Sequence, residues 1–87
     1  FALRVRGDSM KDAGILDGDL VAVEPSPAPR SGQIVVALID GESTLKRLIR
    51  VKGRWHLKAE NAAYPELHPR RDLVIQGVVR TVIRRLG

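Results

Sequence analysis

The sequence predicts a mainly β fold with one short helix near residues 10–15. Three observations carry that expectation. Apolar residues alternate at period two or cluster in short β-branched runs, with little helical spacing. Turn pairs, Asp40-Gly41 and Lys52-Gly53, separate strand-like runs. Helix signals are confined to Ser9–Leu16, where Asp8 or Ser9 can cap the amides that follow.

In chain order, Ala2–Arg6 alternates apolar and polar residues and reads as a strand. Leu20–Glu24 is a second short strand, ended by the proline-rich stretch Pro25–Pro29, which removes backbone donors and stiffens a connector. Gln33–Ile39 is a β-branched run, joined through Asp40-Gly41 to a strand at Ser43–Ile49. A type I′ turn needs φ > 0 at both central residues, which Asp-Gly supplies. Past the Lys52-Gly53 turn, Arg54–Ala59 is the next strand. Residues 60–72 read as a polar loop containing Tyr64-Pro65 and His68-Pro69. Leu73–Ile83 returns to strand character, with Gly77 as a bulge or bend.

The 87 residues suit one small domain. No cysteine is present, so disulfides, iron–sulfur clusters and thiolate zinc sites are excluded. No apolar run approaches the roughly 20 residues of a membrane helix. The net charge of +5, from 15 Lys+Arg against 10 Asp+Glu, admits a nucleic acid or an acidic partner. Only Phe1, Trp55 and Tyr64 are available to stack on bases, which argues against direct nucleic-acid binding.

Several catalytic classes also fall away. His56 lies in a strand beside Trp55 and Leu57, and His68 precedes a proline, so neither reads as a triad base. Asp17-Gly18-Asp19 reads as a tight turn rather than a metal loop. No glycine-rich phosphate loop precedes a helix. We expect no metal and no cofactor.

Two places remain where chemistry is plausible. Gly7 allows a sharp turn that sets Ser9 at the start of a helical turn, beside amide groups able to hold an oxyanion. On local sequence alone the same serine reads more simply as an N-cap with no chemistry. On the strand after Asp40-Gly41, Thr44, Lys46 and Leu48 share one face. A lysine on an apolar face loses pKa by desolvation and becomes a candidate base. Lys46-Arg47 is also readable as an ordinary pair of surface cations.

Taken together, these segments point to a known family. Gly7-Asp8-Ser9-Met10, followed by Gly14-Ile15 and Asp17-Gly18-Asp19-Leu20, resembles the C-terminal domain of LexA repressors, UmuD proteins and related phage repressors. Asp40-Gly-Glu-Ser-Thr-Leu-Lys-Arg-Leu48 resembles that family's base-bearing strand, and Glu60-Asn61, Tyr64-Pro65 and Gly77-Val78-Val79 extend the likeness. The resemblance runs through essentially the whole chain, in order.

It implies a mainly β fold of the LexA and signal-peptidase type, with Ser9 as nucleophile and Lys46 as general base of a serine peptidase. Thr44 would support the lysine amine, and the backbone around Asp8, Ser9 and Met10 would bind the oxyanion. The implied activity is self-cleavage of a linker N-terminal to the domain, at an Ala-Gly or Cys-Gly bond. Cleavage would be stimulated by RecA filaments on single-stranded DNA in the SOS response to DNA damage. A homodimer is implied, often formed through the last strand, with Arg80, Arg84 and Arg85 guarding the edge of Gly77–Leu86 against uncontrolled pairing. So is a cytoplasmic setting in a bacterium or phage. DNA would be reached only through a separate N-terminal domain or an error-prone polymerase partner. Only eight residues precede Ser9, so we expect residues 1–87 to be the catalytic domain alone, without its linker or DNA-binding part. A processed, non-catalytic accessory or oligomerisation module is the competing expectation. A signal-peptidase-like enzyme fits less well, because no membrane segment is present.

Overall fold

The computed structural model describes residues 1–26, 28–39, 41–65 and 73–87. Asp40 of the first predicted turn, Pro27 of the proline stretch and His68-Pro69 lie outside these residues. Six strands form one sheet: β1 (Ala2–Arg4), β2 (Leu20–Glu24), β3 (Ile34–Ile39), β4 (Glu42–Val51), β5 (Arg54–Lys58) and β6 (Val74–Ile83). All its pairings are antiparallel, in the spatial order β1-β2-β6-β3-β4-β5. The last strand thus inserts between the second and the third.

Each element follows from its residues. β3 is apolar throughout because it is central and buried on both faces. Val36 packs into one cluster with Val5, Met10, Ile15, Val21, Val23 and Leu45, while Val35 and Ala37 pack into another with Leu48, Leu57 and Val78. β4 and β5 are joined by Lys52 and Gly53 at φ of 51° and 77°, the double positive-φ turn that matches strand twist. The helix is a single 3₁₀ turn, Lys11–Ala13. Gly14 stops it in the left-handed conformation at φ 78°, its N–H donating to the Lys11 carbonyl.

Three expectations need adjustment. The first strand ends at Arg4, not Arg6, because the chain there meets the 16–19 turn. The Val5 N–H donates to Asp19 O and the Gly18 N–H donates to Val5 O, outside the ladder. The 3₁₀ turn begins after Met10 and has no side-chain cap, so neither Asp8 nor Ser9 caps it. Finally, β6 is an interior strand rather than a simple edge. Its first half pairs with β3 and its second half with β2, so only the stretch beyond Val78 is open on the β3 side. Two of the three arginines read as edge guards are engaged within the chain, Arg80 with Glu24 and Arg84 with Asp19.

The bend expected at Gly77 is present. Val36 faces Gly77 while Ala37 faces Ile75, so one residue of β6 is unpaired there. A Cβ at Gly77 would lie 2.6 Å from Val23 Cγ1 and 2.7 Å from the Glu24 carbonyl oxygen. At Gly77, β2 and β6 therefore approach more closely than a side chain would permit.

Candidate functional site

The chain between β1 and β2 loops across one end of the sheet and carries Ser9. Its register is set by Met10, whose side chain is 1% exposed in the first core cluster. Because Met10 is anchored, the half-buried Ser9 beside it is held over β4. Lys46 reaches the same point from the other direction. It sits on β4 opposite Val35, 7% exposed, with Leu45 and Leu48 buried close by in sequence.

Among the described residues the lysine nitrogen has three hydrogen-bonding neighbours. It donates to Thr44 Oγ1 at 2.8 Å and to the Leu45 carbonyl at 3.0 Å, and it lies 3.4 Å from Ser9 Oγ. Burial pushes the Lys46 pKa below the ordinary lysine value, since a buried ammonium loses its hydration. In the neutral amine two protons remain. The Leu45 carbonyl can only accept, so it takes one of them. With Thr44 Oγ1 accepting the other, the lone pair is left for the Ser9 hydroxyl.

A cleft of about 250 Å³ opens at this point, lined by Leu3, Arg4, Ser9, Met10, Thr44 and Leu45 among others. Strand edges flank it. β5 covers β4 only over Arg47–Val51, leaving Glu42–Lys46 without a strand partner on that side among the described residues. β1 is the outer strand at the other end of the sheet order.

Of the residues singled out from sequence, Ser9, Lys46 and Thr44 come together, and Met10 lies directly beneath. Asp8 does not face the lysine. Its carboxylate accepts a hydrogen bond from the Tyr64 hydroxyl at 2.7 Å, which raises the Tyr64 pKa. Sequence reasoning missed the segment that grips this turn. The Asp12 N–H donates to the Glu60 carbonyl at 2.8 Å, and Asn61 Nδ2 donates to the Asp8 carbonyl at 2.9 Å. Glu60-Asn61 and Tyr64-Pro65 were visible as features of the resemblance, but nothing in their spacing tells that they meet residues 8–12.

Among the described residues no group of histidine, cysteine and carboxylate side chains could hold a metal ion. No helix among them is long and apolar enough to cross a membrane.

A serine turn thus lies against a buried strand lysine on an antiparallel sheet, an arrangement that sets a hydroxyl beside an amine. Comparison with known proteins specifies the family. The chain belongs to the Peptidase S24-like family, whose profile matches residues 1–80. It is 52% identical over 84 residues to a LexA repressor of Verrucomicrobium spinosum, covering 97% of this chain and 41% of that protein. It is 48% identical over 87 residues to LexA repressor 2 of Pseudomonas putida, covering 98% of this chain and 43% of that protein. A LexA repressor of Frankia casuarinae is 46% identical over 86 residues, covering 99% of the chain and 33% of its own length. The chain thus spans about two fifths or less of the relatives it matches.

Proposed function

We propose that the chain is the self-cleaving peptidase domain of a LexA-like or UmuD-like regulator, with Ser9 as nucleophile and Lys46 as general base. The observation that carries this reading is the buried lysine nitrogen 3.4 Å from the Ser9 hydroxyl, with its other contacts already assigned. The neutral amine takes the Ser9 proton as Oγ attacks the scissile carbonyl carbon. Electrons move onto the carbonyl oxygen, which is held by N–H groups of the Ser9 turn. Collapse expels the amine leaving group, which takes the proton back from Lys46, with Thr44 relaying or orienting it. Water then attacks the acyl-serine ester, releasing the new carboxyl end and restoring the hydroxyl.

The substrate is a linker N-terminal to the domain. An extended peptide suits the cleft, because the unpaired edge of Glu42–Lys46 offers backbone donors and acceptors. In this reading residues 1–87 are the catalytic domain of a longer cytoplasmic protein that acts in the SOS response. Cleavage is stimulated by RecA filaments on single-stranded DNA. DNA contact belongs to a separate N-terminal domain, or passes through a polymerase partner. The domain dimerises through the end of β6 and the residues just after it, where Val82, Ile83 and Leu86 are 38%, 53% and 91% exposed.

The test is self-cleavage of a longer chain carrying an N-terminal linker with an Ala-Gly bond. Ser9→Ala and Lys46→Ala are each expected to abolish it. The rate of the unmodified chain is expected to rise about tenfold per pH unit until the Lys46 pKa is reached, because only the neutral amine accepts the proton. A cleavage rate independent of pH between 6 and 10, or undiminished in Lys46→Ala, overturns the dyad.

A further inference from the structure

Residues 60–64 follow β5 and grip the Ser9 turn through contacts separate from those of the lysine. Asn61 is 8% exposed and both ends of its amide are committed. Nδ2 donates to the Asp8 carbonyl at 2.9 Å, and Oδ1 accepts the Ala63 N–H at 3.0 Å, which fixes which end points where. Around it, the Glu60 N–H donates to Met10 Sδ at 3.4 Å, and the Tyr64 hydroxyl holds the Asp8 carboxylate at 2.7 Å.

The Asp8 carbonyl belongs to the same peptide unit as the Ser9 N–H. That unit is planar and trans, so its carbonyl and its N–H point in opposite directions. Whatever holds the carbonyl aims the N–H. The Asp8 carbonyl has a second donor, the Lys11 N–H at 3.2 Å, but that bond lies within the turn and moves with it. Asn61 is anchored elsewhere in the fold and supplies the external reference. Among the described residues the N–H groups of Ser9 and Met10 donate to no acceptor.

We propose that Asn61 is a positioning residue that orients the Asp8–Ser9 peptide so that its N–H meets the oxyanion formed at Ser9. The proposal rests on Ser9 being the nucleophile. It separates two properties of the turn. The nucleophilicity of residue 9 depends on Lys46, whereas stabilisation of the oxyanion depends on Asn61.

That separation is measurable in the chain carrying Ser9→Cys, because the sequence contains no other cysteine and the introduced thiol reacts alone. Two reactions of that thiol are compared. With p-nitrophenyl acetate, sulfur attacks the ester carbon, a tetrahedral oxyanion forms, and p-nitrophenolate leaves. With iodoacetamide, sulfur displaces iodide from a saturated carbon and no oxyanion forms. The ratio of the two rates cancels the fraction of thiolate present and reports the oxyanion site.

Adding Asn61→Ala is expected to lower the acylation-to-alkylation ratio by about tenfold to a hundredfold, the range for a misaligned reacting group. Asn61→Asp keeps the size and the acceptor for the Ala63 N–H but removes the donor, and the same fall is expected. It serves where the alanine variant fails to fold, as judged by circular dichroism. If both rates drop together and the ratio stays unchanged, Asn61 merely supports the loop and the proposal is overturned. Lys46→Ala, measured alongside, is expected to slow both reactions and leave the ratio alone. If neither rate changes, the dyad reading fails, while the Asn61 comparison still decides its own question.

Discussion

At the scale of single residues, Lys46 is placed against its own stability. Lys46 is 7% exposed as a residue, its ammonium is partly desolvated, and the folded state binds its proton less tightly than the unfolded chain does. The folded pKa lies below the ordinary value of 10.5. Below the folded pKa the full cost of burying the charge is present. As pH rises from the folded pKa towards 10.5 that cost is relieved, so this group makes stability increase with pH. Lys46→Met keeps the length and removes the charge. It is expected to raise the unfolding temperature at pH 7, with a gain that shrinks towards pH 10.5, while self-cleavage is lost. Thermal melts at several pH values check the sign. Such an exchange of stability for reactivity is the usual mark of a group kept for chemistry. The residue scale is also where sequence reading reached furthest. Lys46 on an apolar strand face and Ser9 after a glycine turn were legible from alternation and turn chemistry. That the two meet, 3.4 Å apart, was legible only through the family resemblance, since local pattern does not bring residues so distant in sequence together.

At the scale of elements, the six strands and the single short turn of helix follow closely from alternation, β-branched runs and turn pairs. Boundaries moved by one or two residues where tertiary contacts took over, as at Val5, whose backbone bonds go to the 16–19 turn. The position of β6 was not legible. A strand with Gly77 and three arginines reads as an edge, and local sequence does not record that β2 and β3 part to admit it. What fits it there is the absence of a side chain at Gly77, where β6 passes close to β2. Gly77→Ala places a methyl carbon 2.6 Å from Val23 Cγ1 and 2.7 Å from the Glu24 carbonyl oxygen, and the second of these is backbone that cannot step aside. The expected cost is about 1–3 kcal/mol of stability, typical of overpacking in a tight interior. Urea unfolding measures it, and an unchanged midpoint would mean that β2 shifts freely away from β6.

At the scale of the whole molecule, the far end of the chain closes on the near one. Arg84, just past β6, donates to both oxygens of Asp19 at 2.8 and 2.6 Å, and its Nη2 also meets the Gly14 carbonyl at 2.7 Å. Asp19 in turn accepts the Leu16 N–H at 2.7 Å. The loop that begins with the Ser9 turn is thus gripped by residues 60–64 near its start and by the C-terminal arginine at its end. The guanidinium, and after it the Leu16 N–H, hold the Asp19 pKa down to about 2 from an ordinary 3.8. The folded state therefore binds fewer protons than the unfolded chain between these values, and stability falls as pH drops through that window. Above about 4 the contribution is fully present, and below about 2 it is gone. Arg84 is 38% exposed in its side chain, so added salt weakens the attraction without removing the hydrogen bonds. Arg84→Gln removes the main cause of the shift and is expected to lower stability at pH 7. The gap between the two proteins should stay constant down to about pH 4 and close as pH approaches 2. Urea unfolding of both across that range tests it. A gap that persists undiminished at the acid end would mean that Arg84 acts through packing and its bond to Gly14, and not through the Asp19 carboxylate.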